Sequence, residues 1–144
     1  MNNDCTIRKA ETTDLQAVSQ ILSDNGRSTH DAIYLLNDKE MINQPEVYIL
    51  ECDNTVAGLF LYEQLTENRI RIDWLLKKQF KHRDLGTQLT RMMSQEVLEK
   101  GCDCMISFPI SDFSKFTIVR KLDFIREGGN LKQLIYVKRT TKDR

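Results

Sequence analysis

A group of basic residues stands immediately before a strongly helical segment of the sequence. Four fixed cations and a histidine fall within seven residues: Lys77, Lys78, Lys81, His82 and Arg83. A helix N-terminus carries unsatisfied N–H groups and the positive end of the helix dipole, so it attracts anions. These charges beside a helix start therefore indicate a site for several phosphate groups. From charge alone, a solvated surface loop explains them equally well.

The segment after these cations has the clearest helical pattern in the chain. Apolar residues recur at i, i+4, i+7, i+8 and i+12, and they are Leu85, Leu89, Met92, Met93 and Val97. This spacing places them on one face of a helix, and Gly101 is well placed as its C-terminal cap. We therefore predict a helix over Leu85–Lys100 that begins directly after the basic loop.

Three strand-like segments lead into that loop. They are Val47–Cys52, Thr55–Glu63 and Arg69–Leu76. In the third segment apolar residues alternate with Arg69, Arg71 and Asp73, so these charged residues share one face. Short turns separate the segments, and this pattern predicts an antiparallel meander whose last strand ends at the basic loop.

The remaining elements complete the predicted fold. A first strand and helix precede the meander, and a strand, a helix that Asp112 can cap and a closing hairpin follow the long helix. The apolar residues of the helix after Asp112 are Phe113, Phe116, Val119 and Leu122. This order predicts an α/β (α+β) domain with a mixed sheet covered by helices. A length of 144 residues suits one domain over 1–144, with a polar tail at 140–144.

Composition excludes several classes of protein. Hydrophobic residues make up 40% and charged residues 29%, which is typical of a globular chain. The net charge of zero argues against a general nucleic-acid binder, which needs a basic excess. We find no apolar run of about 20 residues, so no membrane span is expected. Met1–Cys5 lacks the basic residues followed by an apolar stretch that are typical of a signal peptide.

The four cysteines are Cys5, Cys52, Cys102 and Cys104. Their spacing fits neither a zinc ribbon nor a secreted disulfide framework, so no metal site is expected. We interpret them as small buried apolar residues in a reducing compartment. This interpretation predicts a cytoplasmic location.

The junction between the third meander strand and the long helix resembles the signature of the GNAT superfamily, the acetyl-CoA-dependent N-acyltransferases. That signature is Q/R-x-x-G-x-G/A, and it aligns with Lys81–Gly86. The segment Ser114–Phe124 is similar to the family's Tyr-x-Lys-Leu-Gly-Phe segment. The order of elements resembles the family along nearly the whole chain.

The resemblance implies both a fold and an activity. The fold is a mixed, twisted sheet of six or seven strands flanked by helices on both faces. The activity is transfer of an acetyl group from acetyl-CoA, as co-substrate, to an amine of a small molecule or peptide. The residues implied in binding acetyl-CoA are Leu75, Leu76, Lys81, His82, Arg83, Asp84, Leu85, Gly86, Thr87 and Asp112. The resemblance is also compatible with a homodimer.

Three positions depart from the family pattern. Asp84 stands at the first signature Gly and Asp123 at the Gly of the later segment, and Val119 replaces a Tyr that donates a proton to the departing thiolate. Asp84 also suits the N-cap of the long helix. These departures favour an alternative function: a catalytically degenerate module that binds CoA weakly or not at all and acts through a protein partner.

Acetyl transfer further needs a proton acceptor for the amine. Asp73 and Glu63, on neighbouring strands, are the candidate catalytic residues. A cross-strand charge pair is the competing explanation for Asp73, because Arg69 and Arg71 share its face. The resemblance implies that backbone near Leu75 and Leu76 donates to the thioester oxygen. It also implies an acceptor region over Ser28–Gln44, in which His30, Asp31 and Tyr34 are candidates.

Overall fold

The computed structural model describes residues 5–27, 46–81 and 84–141. Ten regular elements lie in these ranges: β1 (Cys5–Lys9), α1 (Leu15–Asp24), β2 (Glu46–Cys52), β3 (Thr55–Thr66), β4 (Arg69–Leu76), α2 (Leu85–Glu99), β5 (Asp103–Pro109), α3 (Phe113–Lys121), β6 (Ile125–Gly129) and β7 (Gln133–Lys138). No helix in the described ranges is long and apolar enough to cross a membrane.

The strands form one sheet of seven in the order β1-β2-β3-β4-β5-β7-β6. Neighbours pair antiparallel from β1 to β3 and from β5 through β7 to β6, whereas β4 and β5 run parallel. The sheet is therefore mixed, and the predicted fold class is confirmed. Because the closing hairpin inserts β7 next to β5, the last strand in sequence lies inside the sheet and β6 lies at its edge.

The parallel ladder between β4 and β5 is short. It pairs Arg69 with Asp103, Ile70 with Cys104 and Arg71 with Met105. Ile72 and Asp73 follow Arg71 on β4. Both lie beyond the last residue pair of this ladder. The side chain of Asp73 therefore stands just after the point where the two strands cease to pair.

The chain divides into two compact units, and the first comprises Met1–Tyr62 and Trp74–Leu85. Its core packs the buried face of α1 against the sheet. The core residues are Val18, Ile21, Leu22, Ile49, Leu59 and Leu75. On β2 and β3 the rings of Tyr48 and Phe60 stack, and the Tyr62 ring meets both of them edge-to-face. Helix α1 thus buries Val18, Ile21 and Leu22, which lie at i, i+3 and i+4 and therefore share one helix face.

The second unit comprises Glu63–Asp73 and Gly86–Arg144. Helix α2 buries Leu89, Met93 and Val97, each at most 1% exposed, which confirms the predicted apolar stripe. The helix ends at Glu99, one residue before the predicted end. Gly101 follows with φ +82°, the left-handed conformation of a glycine cap, and its N–H donates to Leu98 O.

The interpretation of the cysteines is wrong for two of the four. Cys5 on β1 and Cys52 on β2 are register partners and form a disulfide. Cys102 and Cys104 are free and buried, but only Cys104 lies on β5, because that strand begins at Asp103. The pairing of Cys5 with Cys52 depends on strands 47 residues apart in sequence, so cysteine spacing carried no sign of it.

Candidate functional site

The end of β4 is fixed by hydrogen bonds within the first unit. The N–H of Lys77 donates to Ala57 O at 2.7 Å. The side-chain amide of Asn25, at the end of α1, donates to Leu76 O at 3.0 Å. The last residues of β4, where the family resemblance implies the thioester oxygen site, are therefore held from two sides.

A close backbone approach accompanies this anchoring. Gly58 on β3 faces the end of β4 so closely that a Cβ at this position would lie 2.5 Å from Leu75 O and 2.8 Å from Leu76 Cδ2. Real Cβ atoms essentially never come so close to another atom. Only glycine therefore fits beside this part of β4. Because it has no side chain, β3 can pack directly against the backbone of Leu75 and Leu76.

The basic loop runs along the C-terminal end of α1. A 3-10 turn over Lys78–Phe80 buries the Phe80 ring. The Lys78 N–H donates to Asp24 Oδ2 at 3.2 Å, and Lys81 Nζ donates to Asp24 O at 3.3 Å. A hydrogen bond from Gln20, that from the Lys78 amide and the nearby Lys charges hold the pKa of Asp24 below its ordinary value. Asp24 thus positions two of the predicted cations.

Helix α2 starts at Leu85, and its first turn is buried. Leu85, Gly86 and Thr87 are each buried, and the Thr90 hydroxyl donates to Gly86 O at 2.7 Å. Asp84 precedes the helix as predicted. Its φ is +59°, however, in the left-handed region, and not in the extended region typical of a side-chain cap. Asp84 therefore keeps the backbone conformation for which glycine is the usual residue.

One polar atom in this part of α2 has an unmet hydrogen-bonding requirement. Gln88 Oε1 is buried, and no described residue donates a hydrogen bond to it. A buried acceptor without a donor is rare in native structures and calls for an explanation. An N–H group of a bound ligand would satisfy it, so this atom fits a ligand that carries amide groups.

The two predicted catalytic residues lie in one chain of charges in the second unit. Lys115 Nζ lies 2.6 Å from Asp73 Oδ1, and both side chains are 5% exposed. Arg71 Nη1 lies 3.8 Å from Asp73 Oδ2, and Arg71 Nε donates to Glu63 Oε1 at 2.9 Å. The Glu63 side chain is 27% exposed, so it is the more accessible of the two carboxylates.

Two further positions of the family pattern lie on α3 or at its start. Asp112 Oδ1 accepts a hydrogen bond from the Lys115 N–H at 3.1 Å, so Asp112 caps the helix as predicted. Val119 is fully buried, and its side chain has no group that could donate a proton. Asp123, just after α3, has φ +65°, again the conformation of a glycine.

Sequence reasoning missed Lys115. It predicted an apolar face with Phe113, Phe116, Val119 and Leu122, but Phe113 is 75% exposed. The residues of this region that are buried are Lys115, Ile118, Val119 and Leu122. These lie at i, i+3, i+4 and i+7, a regular helical stripe whose first member is a lysine. A lysine within an apolar stripe indicates a buried charge that needs a partner, and this signal was present in the sequence.

Several predicted site residues lie outside the described ranges. They are His82, Arg83 and the acceptor region Ser28–Gln44 with His30, Asp31 and Tyr34. The described candidate residues therefore fall within each unit separately. The end of β4 and the loop to Lys81 belong to the first unit, and α2 from Gly86 onward and the charged cluster beside α3 belong to the second.

No protein-family model and no curated protein sequence matches the chain. Solved structures do match. RimL, a ribosomal L7/L12 alpha-N-protein acetyltransferase in complex with coenzyme A, is 15% identical with a TM-score of 0.78, over 99% of this chain and 97% of that chain. The ribosomal-protein-S18-alanine N-acetyltransferase from Escherichia coli is 14% identical with a TM-score of 0.78, over 97% and 96%.

An N-acetyltransferase from Staphylococcus aureus Mu50 is 15% identical with a TM-score of 0.75, over 95% of this chain and 99% of that chain. Identities this low show a shared fold. In each comparison the shared fold extends over nearly the full length of both chains.

Proposed function

We propose that this chain, which has the GNAT fold, is an N-acetyltransferase that moves an acetyl group from acetyl-CoA to an amine. The observation that carries the proposal is the buried start of α2. Leu85, Gly86 and Thr87 are buried there, and the helix start keeps the left-handed turn at Asp84 although the glycine is gone.

The same region supports binding of the phosphate groups of acetyl-CoA. The first N–H groups of α2 have no partners within the helix, and the helix dipole favours negative charge beside them. Asp24 holds Lys78 and Lys81 in the loop that leads to this helix. We therefore assign the pyrophosphate to the amides of Leu85, Gly86 and Thr87, with Lys81, His82 and Arg83 as candidate cationic partners.

Gln88 supports the fit of this co-substrate. The pantetheine arm of acetyl-CoA contains amide N–H groups, and Gln88 Oε1 is a buried acceptor that no described residue satisfies. Bound acetyl-CoA supplies a thioester carbonyl, whose developing oxyanion needs a hydrogen-bond donor. We assign that role to backbone near Leu75 and Leu76, which Gly58 and Asn25 hold in place.

Glu63 is the better supported of the two candidate bases. A protonated amine must lose its extra proton before its lone pair can attack, and a positioned carboxylate can accept that proton. Glu63 is partly exposed and its partner is the half-buried Arg71, whereas Asp73 is buried against Lys115. We assign Glu63 as proton acceptor and Asp112 as a cap beside the co-substrate. The thiolate leaves without an assigned acid, since Val119 cannot supply one.

The acceptor and a homodimer belong to the same proposal. A cytoplasmic location belongs to it as well, but the Cys5–Cys52 disulfide removes the support that reduced cysteines would give it. The neighbours include enzymes named for ribosomal-protein targets, so peptides with free N-termini and small amines are the acceptors to test first. The alternative is a degenerate GNAT module that acts through a protein partner. The specific observation in its favour is the buried Val119, which leaves α3 without a proton donor at this position.

Two measurements decide between these functions. Calorimetric titration with acetyl-CoA reports binding, and a thiol reagent reports release of free CoA in the presence of a panel of amines and peptide N-termini. The enzyme should bind acetyl-CoA and release thiol only when an acceptor is present. Replacement of Glu63 by Gln should lower kcat by roughly 10²–10⁴-fold without loss of binding. Absence of both binding and thiol release would support the degenerate module.

A further inference from the structure

We propose that the buried Asp73–Lys115 ion pair positions the first turn of α3 for binding of the acetyl-CoA co-substrate. This inference rests on the proposed N-acetyltransferase function. It assigns both residues as positioning residues, because each acts through the backbone that it holds. Neither is assigned a contact with the reacting atoms.

The first step is the place of Asp73 on β4. The parallel ladder with β5 ends at the pair Arg71–Met105, and Asp73 is two residues farther along β4. Its side chain lies on the same strand face as that of Arg71, because side chains alternate along a strand. Asp73 therefore offers a charged anchor on β4 just where register pairing to β5 has ended.

The second step is the place of Lys115 on α3. It lies in the first turn of the helix, and its N–H is bound by the carboxylate of Asp112 at 3.1 Å. The same residue's Nζ reaches Asp73 Oδ1 at 2.6 Å. One residue thus links the cap of α3 to β4, through its backbone on one side and its ammonium group on the other.

The third step is the environment of the pair. Both side chains are 5% exposed, and in such an interior a charge-assisted hydrogen bond is short and directional. Lys115 is the only cation among the described residues that are buried. An apolar contact of the same size would fill the space but would not fix a distance or a direction. The pair therefore constrains geometry more than packing does.

The consequence concerns Asp112, which the resemblance assigns to binding of acetyl-CoA. Its turn is held by Lys115 to Asp73, in the part of β4 that belongs to the same unit. Loss of the ion pair should leave the fold intact but let this turn shift relative to β4. Affinity for acetyl-CoA should then fall, while acceptor binding changes little.

The test compares Asp73→Leu/Lys115→Met with the wild-type chain. Removal of one partner alone leaves an uncompensated buried charge, and Lys115→Met should lower the melting temperature by about 6–20 °C. The double variant replaces both charges by apolar groups of similar size, which is often neutral for stability. Glu127→Gln, which removes one charge from the pair with Arg69 at 2.6 Å in the same unit, is the matched control.

We expect the double variant to melt near the wild type, with a KM and a calorimetric Kd for acetyl-CoA raised about tenfold, which is about 1.4 kcal/mol of binding. Its KM for the acceptor should stay close to wild type, as should all parameters of Glu127→Gln. The kcat of the double variant is expected to change as well, because Arg71 contacts both Asp73, at 3.8 Å, and Glu63.

A double variant with restored stability and wild-type affinity for acetyl-CoA would overturn the inference and leave the proposed function standing, because the pair would then serve stability alone. An equal loss of affinity in Glu127→Gln would also overturn it. A wild-type chain that neither binds acetyl-CoA nor releases thiol would overturn the proposed function, and the positioning role with it.

Discussion

Asp84 and Asp123 share one backbone conformation, with φ of +59° and +65°. Both stand where the GNAT pattern has glycine, and both keep the left-handed geometry that glycine adopts without cost. Aspartate is among the few other residues that tolerate it, because its short polar side chain can bond locally. Two of the three departures from the family pattern therefore change charge and size and preserve the path of the backbone.

The first prediction is that Asp84→Gly keeps stability and tightens acetyl-CoA binding. Glycine relieves the left-handed strain but adds freedom to the unfolded chain, so the free energy of unfolding should change by less than about 1 kcal/mol. The change removes a negative charge from the proposed pyrophosphate site, and the affinity should rise about fivefold or more. Calorimetric titration at one salt concentration, with chemical denaturation alongside, measures both.

Asp123→Gly is the matched control for that change, because it makes the same backbone substitution in the turn after α3. It should leave affinity for acetyl-CoA unchanged. Weaker binding by Asp84→Gly would mean that the Asp84 carboxylate helps to hold the ligand. Equal gains in both variants would show that charge at the start of α2 is not the cause.

The second prediction concerns Lys81. Its Nζ is held at Asp24 O, beside the proposed phosphate site, so Lys81→Glu replaces an attraction by a repulsion. Affinity for acetyl-CoA should fall about tenfold at low salt, and less at high salt because exposed charges are screened. Lys132→Glu, at the exposed turn between β6 and β7, makes the same charge change. Equal effects of the two substitutions would exclude the loop as the site.

Much of the fold was predictable because it depends on local patterns. The stripe of α2 repeats at helical spacing, so Leu89, Met93 and Val97 were assigned correctly to the core. The strand of Arg69–Leu76 was predicted with its observed bounds, because its apolar and charged residues alternate. Asp112 was correctly identified as a cap from its type and its place before a helix.

The misses arise from contacts between distant parts of the sequence. Asp73 and Lys115 are 42 residues apart, and neither residue indicates the other by spacing. The buried face of α3 was predicted only in part. Val119 and Leu122 are buried as expected, but Phe113 is exposed, and Lys115 and Ile118 are buried instead. The Cys5–Cys52 bond follows from the register of β1 with β2, which no local pattern specifies.

The third prediction is that Gly58→Ala destabilises the protein by about 1–3 kcal/mol, the usual cost of forcing an added group into a packed interior. Its Cβ would lie 2.5 Å from Leu75 O, so β3 and the end of β4 must separate. Since Leu75 and Leu76 are the proposed site of the thioester oxygen, kcat should fall as well. Denaturation and thiol-release assays measure the two effects.

Gly128→Ala is the control, because a Cβ there would meet no atom within 4 Å. It should change the free energy of unfolding little and leave kcat at the wild-type value. If Gly58→Ala unfolded at the wild-type denaturant concentration, the close approach of β3 to Leu75 would not exist in solution.

The fourth prediction is that reduction of the Cys5–Cys52 disulfide lowers the free energy of unfolding by about 2–4 kcal/mol, because the bond restricts the unfolded chain. Thermal melts with and without a reductant should separate for the wild type and coincide for Cys5→Ala/Cys52→Ala. Burial raises the pKa of the Cys104 thiol to about 12, so alkylation of the reduced, folded chain should spare Cys104. A reductant that shifts both melts equally would exclude the bond as the cause.

The last prediction is that Asp14 stabilises the fold in a pH-dependent way. Its carboxylate accepts two hydrogen bonds from Arg8, at 2.7 and 2.8 Å, and one from the Glu11 N–H at 2.7 Å. The Arg8 hydrogen bonds, aided by that of Glu11, hold the pKa of Asp14 below its ordinary value against the opposing effect of burial. Asp14→Asn should therefore lower stability at neutral pH, because the amide cannot replace a charged acceptor.

The sign of the pH dependence follows from that lowered pKa. The folded state binds the Asp14 proton less readily than the unfolded state, so the stabilisation is complete above the unfolded value of about 3.9. It is lost as pH falls through the lower folded pKa. The difference in unfolding free energy between the wild type and Asp14→Asn should thus be constant near neutral pH and shrink below about pH 4. Asp123→Asn, at an exposed carboxylate, is the control and should follow the wild-type acid profile. A difference that stays constant down to the acid transition would show that Asp14 contributes through shape and neutral hydrogen bonds rather than through its charge.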